Sequence, residues 1–489
     1  MTLGKIVSVI AALTLIAVVS ALYSAAAGIA IALSPFVALA ALIMFVSMPA
    51  LGLAALMAEV ICGGNGHWLE FRGGALTPRY LLIVAVFLGF AARILLLRRT
   101  SVLRSRAWIP LGLFCLVVVY GIACGYLNAN RDVLGEPQVW LYLIVYPIVV
   151  SLWSTKAFPD ELLRMYLWSA AGMAGLTLLL MLAANLAPEP FFELYRSAPL
   201  ERMRITAPAL AGTSLTYVFW GNSSVAGVAL AVSLLLLDSG LGPKWLLPKR
   251  SLQFIAILCA MTMLFSMTRG TWGQLALMLA LVGVDIAVRR RIRGKSVLAL
   301  GAIAIIGVTA VVSSTQVREA FVTRFDTLMP ANRVGLEASD SMVTKALEAE
   351  QQILAIANRP LLGYGFGVGD YGNFGNFLAD ASRFHNWFLG LALKTGLIGV
   401  ASFVWLFASV CYRAIRAGAR VGKAWPAYRA VLSGWAYGLI GIAFVSTSNP
   451  HAGTPAFVIT LGLGMAFVDL VNHYANSSAK YRQRNNVPI

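Results

Sequence analysis

Charge is scarce in this chain of 489 residues: 12% is charged, with 20 Asp+Glu against 38 Lys+Arg. Soluble globular chains carry about 25% charged residues, so soluble enzyme folds are excluded for most of the length. Histidine is scarcer still, with four in all: His67, His385, His451 and His473. No D-x-D or His-rich spacing supports a metal site. The five cysteines, Cys62, Cys115, Cys124, Cys259 and Cys411, lie in or at the edges of apolar runs without metal-type spacing. They read as packing residues rather than ligands or a disulfide frame.

In place of charge there is hydrocarbon: 59% of residues are hydrophobic and the mean hydropathy is +0.79. Repeated apolar runs of about 20 residues predict an all-α polytopic membrane protein. The formal charge of +18 could suggest nucleic acid, but the basic residues cluster in short loops between apolar runs. That is the signature of topology, not of a nucleic-acid surface. The clusters Arg98–Arg106, Lys244–Arg250, Arg289–Lys295 and Arg413–Lys423 fall on one predicted side. Spans near 80–97, 108–127, 138–154, 165–187, 217–237, 252–268, 271–288, 296–313, 386–411, 430–448 and 454–471 then alternate without contradiction. The amino-terminal apolar block reads as an uncleaved first span and crosses an odd number of times, giving about 12 to 14 transmembrane helices.

Three regions follow: spans with short loops over 1–313, with an external loop at 188–216; a long external loop over 314–385; and spans with a basic cytoplasmic tail over 386–489. Long loops in compact proteins carry function or are disordered. Here Met342, Leu347, Ile353, Leu354 and Ala357 suit an amphipathic helix that Arg359-Pro360 terminates, so the loop is partly helical.

Where this loop meets the next span stands Arg383-Phe384-His385-Asn386-Trp387-Phe388-Leu389, running into Lys394-Thr395-Gly396-Leu397-Ile398-Gly399. Histidine titrates near neutrality and can take a proton from a hydroxyl, although an interfacial histidine can also simply anchor a helix. Upstream, Pro360-Leu361-Leu362-Gly363-Tyr364-Gly365-Phe366-Gly367-Val368-Gly369 looks like a phosphate cradle but lacks the GK[ST] ending. The plainer reading is a turn that lets backbone pack closely. Together the two segments resemble the carboxy-terminal region of the O-antigen ligase and O-antigen/exopolysaccharide polymerase superfamily, with motif-level similarity over residues 342–400.

Arg269, in Ser266-Met267-Thr268-Arg269-Gly270, sits between two closely spaced spans and matches an arginine motif of that superfamily. The resemblance assigns it to the diphosphate of a lipid-linked sugar, which suits the bidentate donors of guanidinium. Family members carry a second arginine upstream of the Pro-Leu-Leu-Gly motif, followed one helical turn later by tryptophan. Here Lys345 and Ala349 occupy those positions. Lysine holds phosphate only as a point charge, so Lys345 or another loop cation, Arg318, Arg324 or Arg333, takes that role; Lys345 and Arg324 rank first. Arg196, Arg202 and Arg204 in the other loop are read as a headgroup-binding face.

The resemblance implies a GT-C-like architecture and a metal-independent, inverting glycosyltransferase without cofactor. It implies an undecaprenyl-diphosphate-linked glycan as donor, and lipid A-core or a lipid-linked glycan as acceptor. The site would face the periplasm from the bacterial inner membrane, with His385 and Arg269 catalytic, and membrane lipids rather than nucleic acid as surroundings. A lipid A-core acceptor makes an O-antigen ligase, which the compact Thr-Arg-Gly and His-Asn-x-Phe-Leu signatures favour; a lipid-linked acceptor makes a polymerase. A flippase or transporter is the competing class, marked by repeats, broken helices and midplane charges.

Overall fold

The computed structural model describes residues 45, 49–62, 78–97, 105, 107–130, 133–153, 160–191, 204–206, 217–219, 222–239, 247–266, 268–289, 348–368, 385–421, 425–448 and 451–484. The expected spans within these residues are helices. They are α1 (Pro49–Cys62), α2 (Pro78–Leu97), α3 (Trp108–Leu127), a 3-10 helix (Pro137–Ile144) continuing into α4 (Val145–Trp153), and α5 (Asp160–Leu186). After them come α6 (Ser223–Asp238), α7 (Lys249–Phe265), α8 (Arg269–Arg289), α9 (348–358), α10 (Trp387–Val421), α11 (Pro426–Val445) and α12 (Pro455–Arg484). Among the described residues, six helices are long and apolar enough to cross a membrane: α3, α5, α8, α10, α11 and α12. The chain is thus an all-α polytopic membrane protein. The expected amino-terminal span, the span near 296–313 and most of the loop 314–385 lie outside the described residues.

One boundary moves. The span expected from residue 217 starts at Ser223, because Tyr217–Phe219 pairs antiparallel with Arg204–Thr206 as a two-stranded ribbon, β1 and β2. β-branched and aromatic residues such as Ile205, Tyr217 and Val218 favour that pleat.

The core is built around α6, whose residues are buried on every side, as expected for a helix apolar all round. It packs on α11, α7 and α8, while α10 packs on α11, α3 and α12. Lipid is as apolar as leucine, so helices associate through close backbone approach and hydrogen bonds rather than hydrophobic burial. Gly434 and Gly438 on α11 supply the close approach: a Cβ at Gly434 would lie 2.7 Å from the Val232 Cα. Hydrogen bonds from Gln274 Nε2 to the Ser224 carbonyl (2.7 Å) and from Trp435 Nε1 to the Thr460 carbonyl (3.0 Å) tie α8 to α6 and α11 to α12.

Chain direction puts the start of α10, the ends of α3, α7 and α11, and the start of α8 at one end of the bundle, the His385 end. The opposite end carries Lys249, Arg250, Arg289, Arg413, Arg416 and Arg420. There Arg413 pairs with the buried Asp469, which also accepts from the Tyr146 hydroxyl (2.7 Å), and Arg413 reaches Ser105 Oγ (3.3 Å). A buried charge needs such partners. The network joins α10, α12, α4 and the chain entering α3 at the basic end.

Candidate active site

Asn386 determines where His385 stands. Its Oδ1 accepts the backbone N–H groups of Phe388 (3.0 Å) and Leu389 (3.2 Å), the N-cap arrangement that satisfies otherwise unpaired donors of the first turn. His385 is therefore held one residue outside the helix. Trp387 fixes the entry: its N–H donates to the Ser446 carbonyl at 3.0 Å, and its ring packs at 4.6 Å from Phe403 and 6.0 Å from Trp140.

The described residues give His385 one charged partner. Glu348, at the start of α9, sets Oε2 2.7 Å from His385 Nδ1 and accepts the His385 backbone N–H on Oε1 at 2.9 Å. Gln352, one turn on, donates to the same Oε1 at 3.1 Å. Burial acts to raise the Glu348 pKa, but the His385 ring and backbone hydrogen bonds, with Gln352, outweigh it and hold the carboxyl below its ordinary range. With Nδ1 on the carboxylate, the ring presents Nε2 as its second nitrogen, and the side chain is 30% exposed. A carboxylate on Nδ1 selects the tautomer whose Nε2 lone pair can accept a proton.

Past His385 the long helix is broken, and the chain turns back on itself, for the Trp387 and Phe403 rings on either side of the break lie 4.6 Å apart. Gly396 has φ 69° and ψ −176°, so Leu393 and Lys394 lose the helical partners of their carbonyls. The glycine-rich run fills the break: Tyr364 N–H donates to the Leu393 carbonyl and Gly365 N–H to the Lys394 carbonyl, both at 2.8 Å. Leu397 N–H, which would have served Leu393, donates instead to the Pro360 carbonyl at 2.7 Å. Broken helices are tolerated at membrane depth only where the freed groups are paired in this way. The far side of the turn leans on α3: Phe366 N–H donates to the Gly121 carbonyl (3.0 Å), and Asn128 and Asn130 Nδ2 donate to the Tyr364 carbonyl at 2.8 and 3.1 Å. The run that looks like a phosphate cradle is thus a packed turn, in line with its missing GK[ST] ending. Gly365 has φ 87° and lies so close to Gly125 that no Cβ would fit. Beside the break, buried Lys394 pairs with Glu136 at 2.6 Å, tying the chain between α3 and the 3-10 helix to α10.

Arg269 is the first residue of α8, at the His385 end; its side chain lies outside the described residues, as do Lys345, Arg318, Arg324, Arg333, Arg196 and Arg202, and the Arg204 side chain. Thr268 Oγ1 donates to Thr271 Oγ1 (2.6 Å) and makes a longer contact with Ser266 Oγ (3.3 Å), shaping the turn that leads into α8. Both signatures meet the same end of α11: Gly273 packs on Phe444, and Trp387 binds Ser446. Asn222, at the start of α6, donates to the Val60 and Ile61 carbonyls (2.9 and 3.1 Å) and is a structural cap for α1. His451 is buried near the start of α12, whereas His473 lies against Tyr474.

Sequence reasoning did not single out Glu348, and missed Glu136 and Lys394 as a pair. The available signal for Glu348 was its position one helical turn before Gln352 and three before the Arg359-Pro360 stop. For Lys394 it was a charge inside a predicted span, which calls for a partner.

No curated protein matches the chain. The family model described as O-antigen ligase matches residues 254–404, from within α7 to within α10. That stretch takes in the Thr-Arg-Gly turn, the Glu348 helix, the turn filling the break, and His385. Over residues 254–404 the chain is therefore similar to the O-antigen ligase family.

Proposed function

We propose that the protein is a glycosyltransferase of the periplasmic face that moves a glycan from undecaprenyl diphosphate to a sugar hydroxyl, acting as an O-antigen ligase on lipid A-core. The observation that carries this reading is the Glu348–His385 pair at the membrane-entry end of α10, inside the matched domain. His385 Nε2 accepts the proton of the acceptor hydroxyl as its oxygen attacks the anomeric carbon. The bond from that carbon to the diphosphate oxygen breaks, and undecaprenyl diphosphate leaves with the electron pair. Direct displacement inverts the anomeric centre. Arg269, helped by Lys345 or Arg324, stabilises the charge growing on the leaving diphosphate.

The test is transfer by purified protein in nanodiscs, given the lipid-linked glycan with lipid A-core or with no added acceptor. Product on lipid A-core supports the ligase, and longer lipid-linked chains without it support a polymerase. Glycan flux across vesicles without transfer would favour a flippase. The break in α10 and the buried Lys394 are features such transporters share, but here the break is already filled by the chain's own turn.

Two substitutions probe the parts. Arg269→Ala is expected to lower kcat by ~10²-fold or more, as loss of a charge-stabilising donor does; unchanged single-turnover transfer would remove Arg269 from the chemistry. Glu348→Gln replaces an acceptor with an amide that can donate to Nδ1 and so favours the wrong tautomer. A drop in kcat of ~10²-fold with little change in KM is expected, with partial recovery in Glu348→Asp. The pH sign follows from the lowered Glu348 pKa: the tether between α9 and α10 is complete above the ordinary carboxylate range and is lost as pH falls through the lower folded value.

A further inference from the structure

Two helices begin side by side at the His385 end. α6 starts at Ser223 and α8 at Arg269; they pack on each other and both run toward the basic end. Helix α11 passes them in the opposite direction and fixes their heights. On α6, Gly434 faces Val232 and Gly438 faces Val228, so the next step of four residues sets Ile442 opposite Ser224. On α8, Gly441 faces Gln274, whose Cγ would lie 3.0 Å from a Cβ there, and Gln274 Nε2 reaches the Ser224 carbonyl at 2.7 Å. The two registers agree. Arg269 precedes Gln274 by five residues and Ser446 follows Gly441 by five, a rise of ~7.5 Å each. The backbone of Arg269 is thus level with Ser446, whose carbonyl receives the Trp387 N–H, and about one turn beyond Ser224.

The start of α6 lacks a side-chain cap. The first N–H groups of a helix have no carbonyl of their own and carry the positive end of its dipole. Asn222 stands at the N-cap position, but its amide donates to the Val60 and Ile61 carbonyls and makes no cap bond to α6. Ser223 and Ser224 follow, 1% and 0% exposed, and neither hydroxyl has a partner among the described residues. Helical side chains lean toward the N-terminus, so both hydroxyls lean the way the first-turn N–H groups point. A hydroxyl sealed from bulk water without a hydrogen bond is costly, and in native proteins such a group calls for a bound water or ion.

The surroundings favour an anion. Two parallel helix starts about one turn apart in height add their partial positive charges, and the second begins at Arg269. Hydroxyl and N–H donors at a helix start suit phosphate oxygens. By height, these donors belong with the end of α11 at which Trp387 docks on Ser446, beside His385 in the chain.

We propose that the start of α6 is part of the donor site, where Ser223 and Ser224 bind the diphosphate of the lipid-linked glycan through their hydroxyls and first-turn N–H groups, beside Arg269. This rests on the glycan-transfer reading. It adds to Arg269 a binding element that belongs to the helical bundle and not to the loop 314–385.

The test uses the full chain in phosphatidylcholine nanodiscs, with inorganic pyrophosphate as the soluble probe and titration calorimetry below the melting temperature as the readout. The parent is compared with the double variant Ser223→Ala/Ser224→Ala. Removing two hydroxyls that bond an anion is expected to weaken pyrophosphate binding by ~10- to 100-fold. The melt without probe should stay at the parent's value or rise, since neither hydroxyl has a partner among the described residues. Unchanged affinity, a lower melt, or a parent that binds no pyrophosphate would each overturn the site. A lower melt is what a trapped water would give if it bridged the hydroxyls to Gln274 Oε1, likewise unpaired among the described residues. Glycerophosphoglycerol, the soluble headgroup of phosphatidylglycerol, should bind more weakly than pyrophosphate; equal or tighter binding would assign the site to a phospholipid and overturn the donor assignment. Glycan transfer is assayed on the same preparations. A parent that transfers glycan while its pyrophosphate affinity ignores the two serines sinks this site alone, whereas binding through them without any transfer sinks glycan transfer and the donor assignment with it.

Discussion

His385→Ala is expected to reduce kcat for glycan transfer by ~10²–10⁴-fold, the contribution of a general base. Alanine also leaves the Glu348 carboxylate without its ring partner, so α9 could shift and the loss could be positional. His385→Asn separates the two effects. Its amide can occupy the place of Nδ1 and donate to Glu348, but nothing replaces Nε2. If Nε2 takes the proton, the His385→Asn variant should unfold at a temperature close to that of the parent and transfer as poorly as the alanine variant. Transfer within tenfold of the parent by either purified variant would remove His385 from the proton step.

Gly396→Ala is expected to cost the fold ~4 kcal/mol or more, through named mechanisms. With φ 69° and ψ −176°, residue 396 sits in a backbone region that only glycine enters freely, at a cost of ~1–3 kcal/mol for any other residue. The new Cβ would also fall on the Leu361 carbonyl, pushing the turn away from the break. The Leu393 and Lys394 carbonyls and the Leu397 N–H would then lose partners in a low-dielectric setting, each worth ~1–3 kcal/mol when buried unpaired. Melting followed by tryptophan fluorescence in detergent should show a large fall in transition temperature and a poor yield of monodisperse protein. Gly112→Ala is the control, since a Cβ at Gly112 on α3 meets nothing within 4 Å. A normal melt for Gly396→Ala would mean the break is not held as described.

The spans were legible in the sequence because the bilayer imposes a length and a polarity on each: α3 begins and ends where hydropathy placed it, at Trp108 and Leu127. The α9 stop at Arg359-Pro360 was also readable, because proline lacks the donor a helix needs. His385 stood out by residue type and motif. Its partner did not, since a carboxylate far away in sequence reaches the ring only because α9 lies alongside the first part of α10, start beside start and end beside end. The break at Gly396 was hidden for a similar reason. Glycines are common in transmembrane helices, and only the exchange of partners between Leu393, Leu397 and residues 360–365 distinguishes a filled break from an ordinary turn of helix. Glu136 and Lys394 show the same limit: each is a lone charge along the chain, and becomes a pair through the fold.

The exchange at Gly396 also bears on how the chain is made. The turn that fills the break precedes α10 in sequence, so during synthesis Pro360, Tyr364 and Gly365 emerge before the groups they will serve. A new α10 leaving the insertion machinery sideways, without that turn beside it, would bring bare carbonyls into lipid. Its outer half is therefore not an autonomous insertion unit. The same turn is also held on α3, by Gly121, Asn128 and Asn130, so the groups that complete α10 are fixed by a part of the chain made before it.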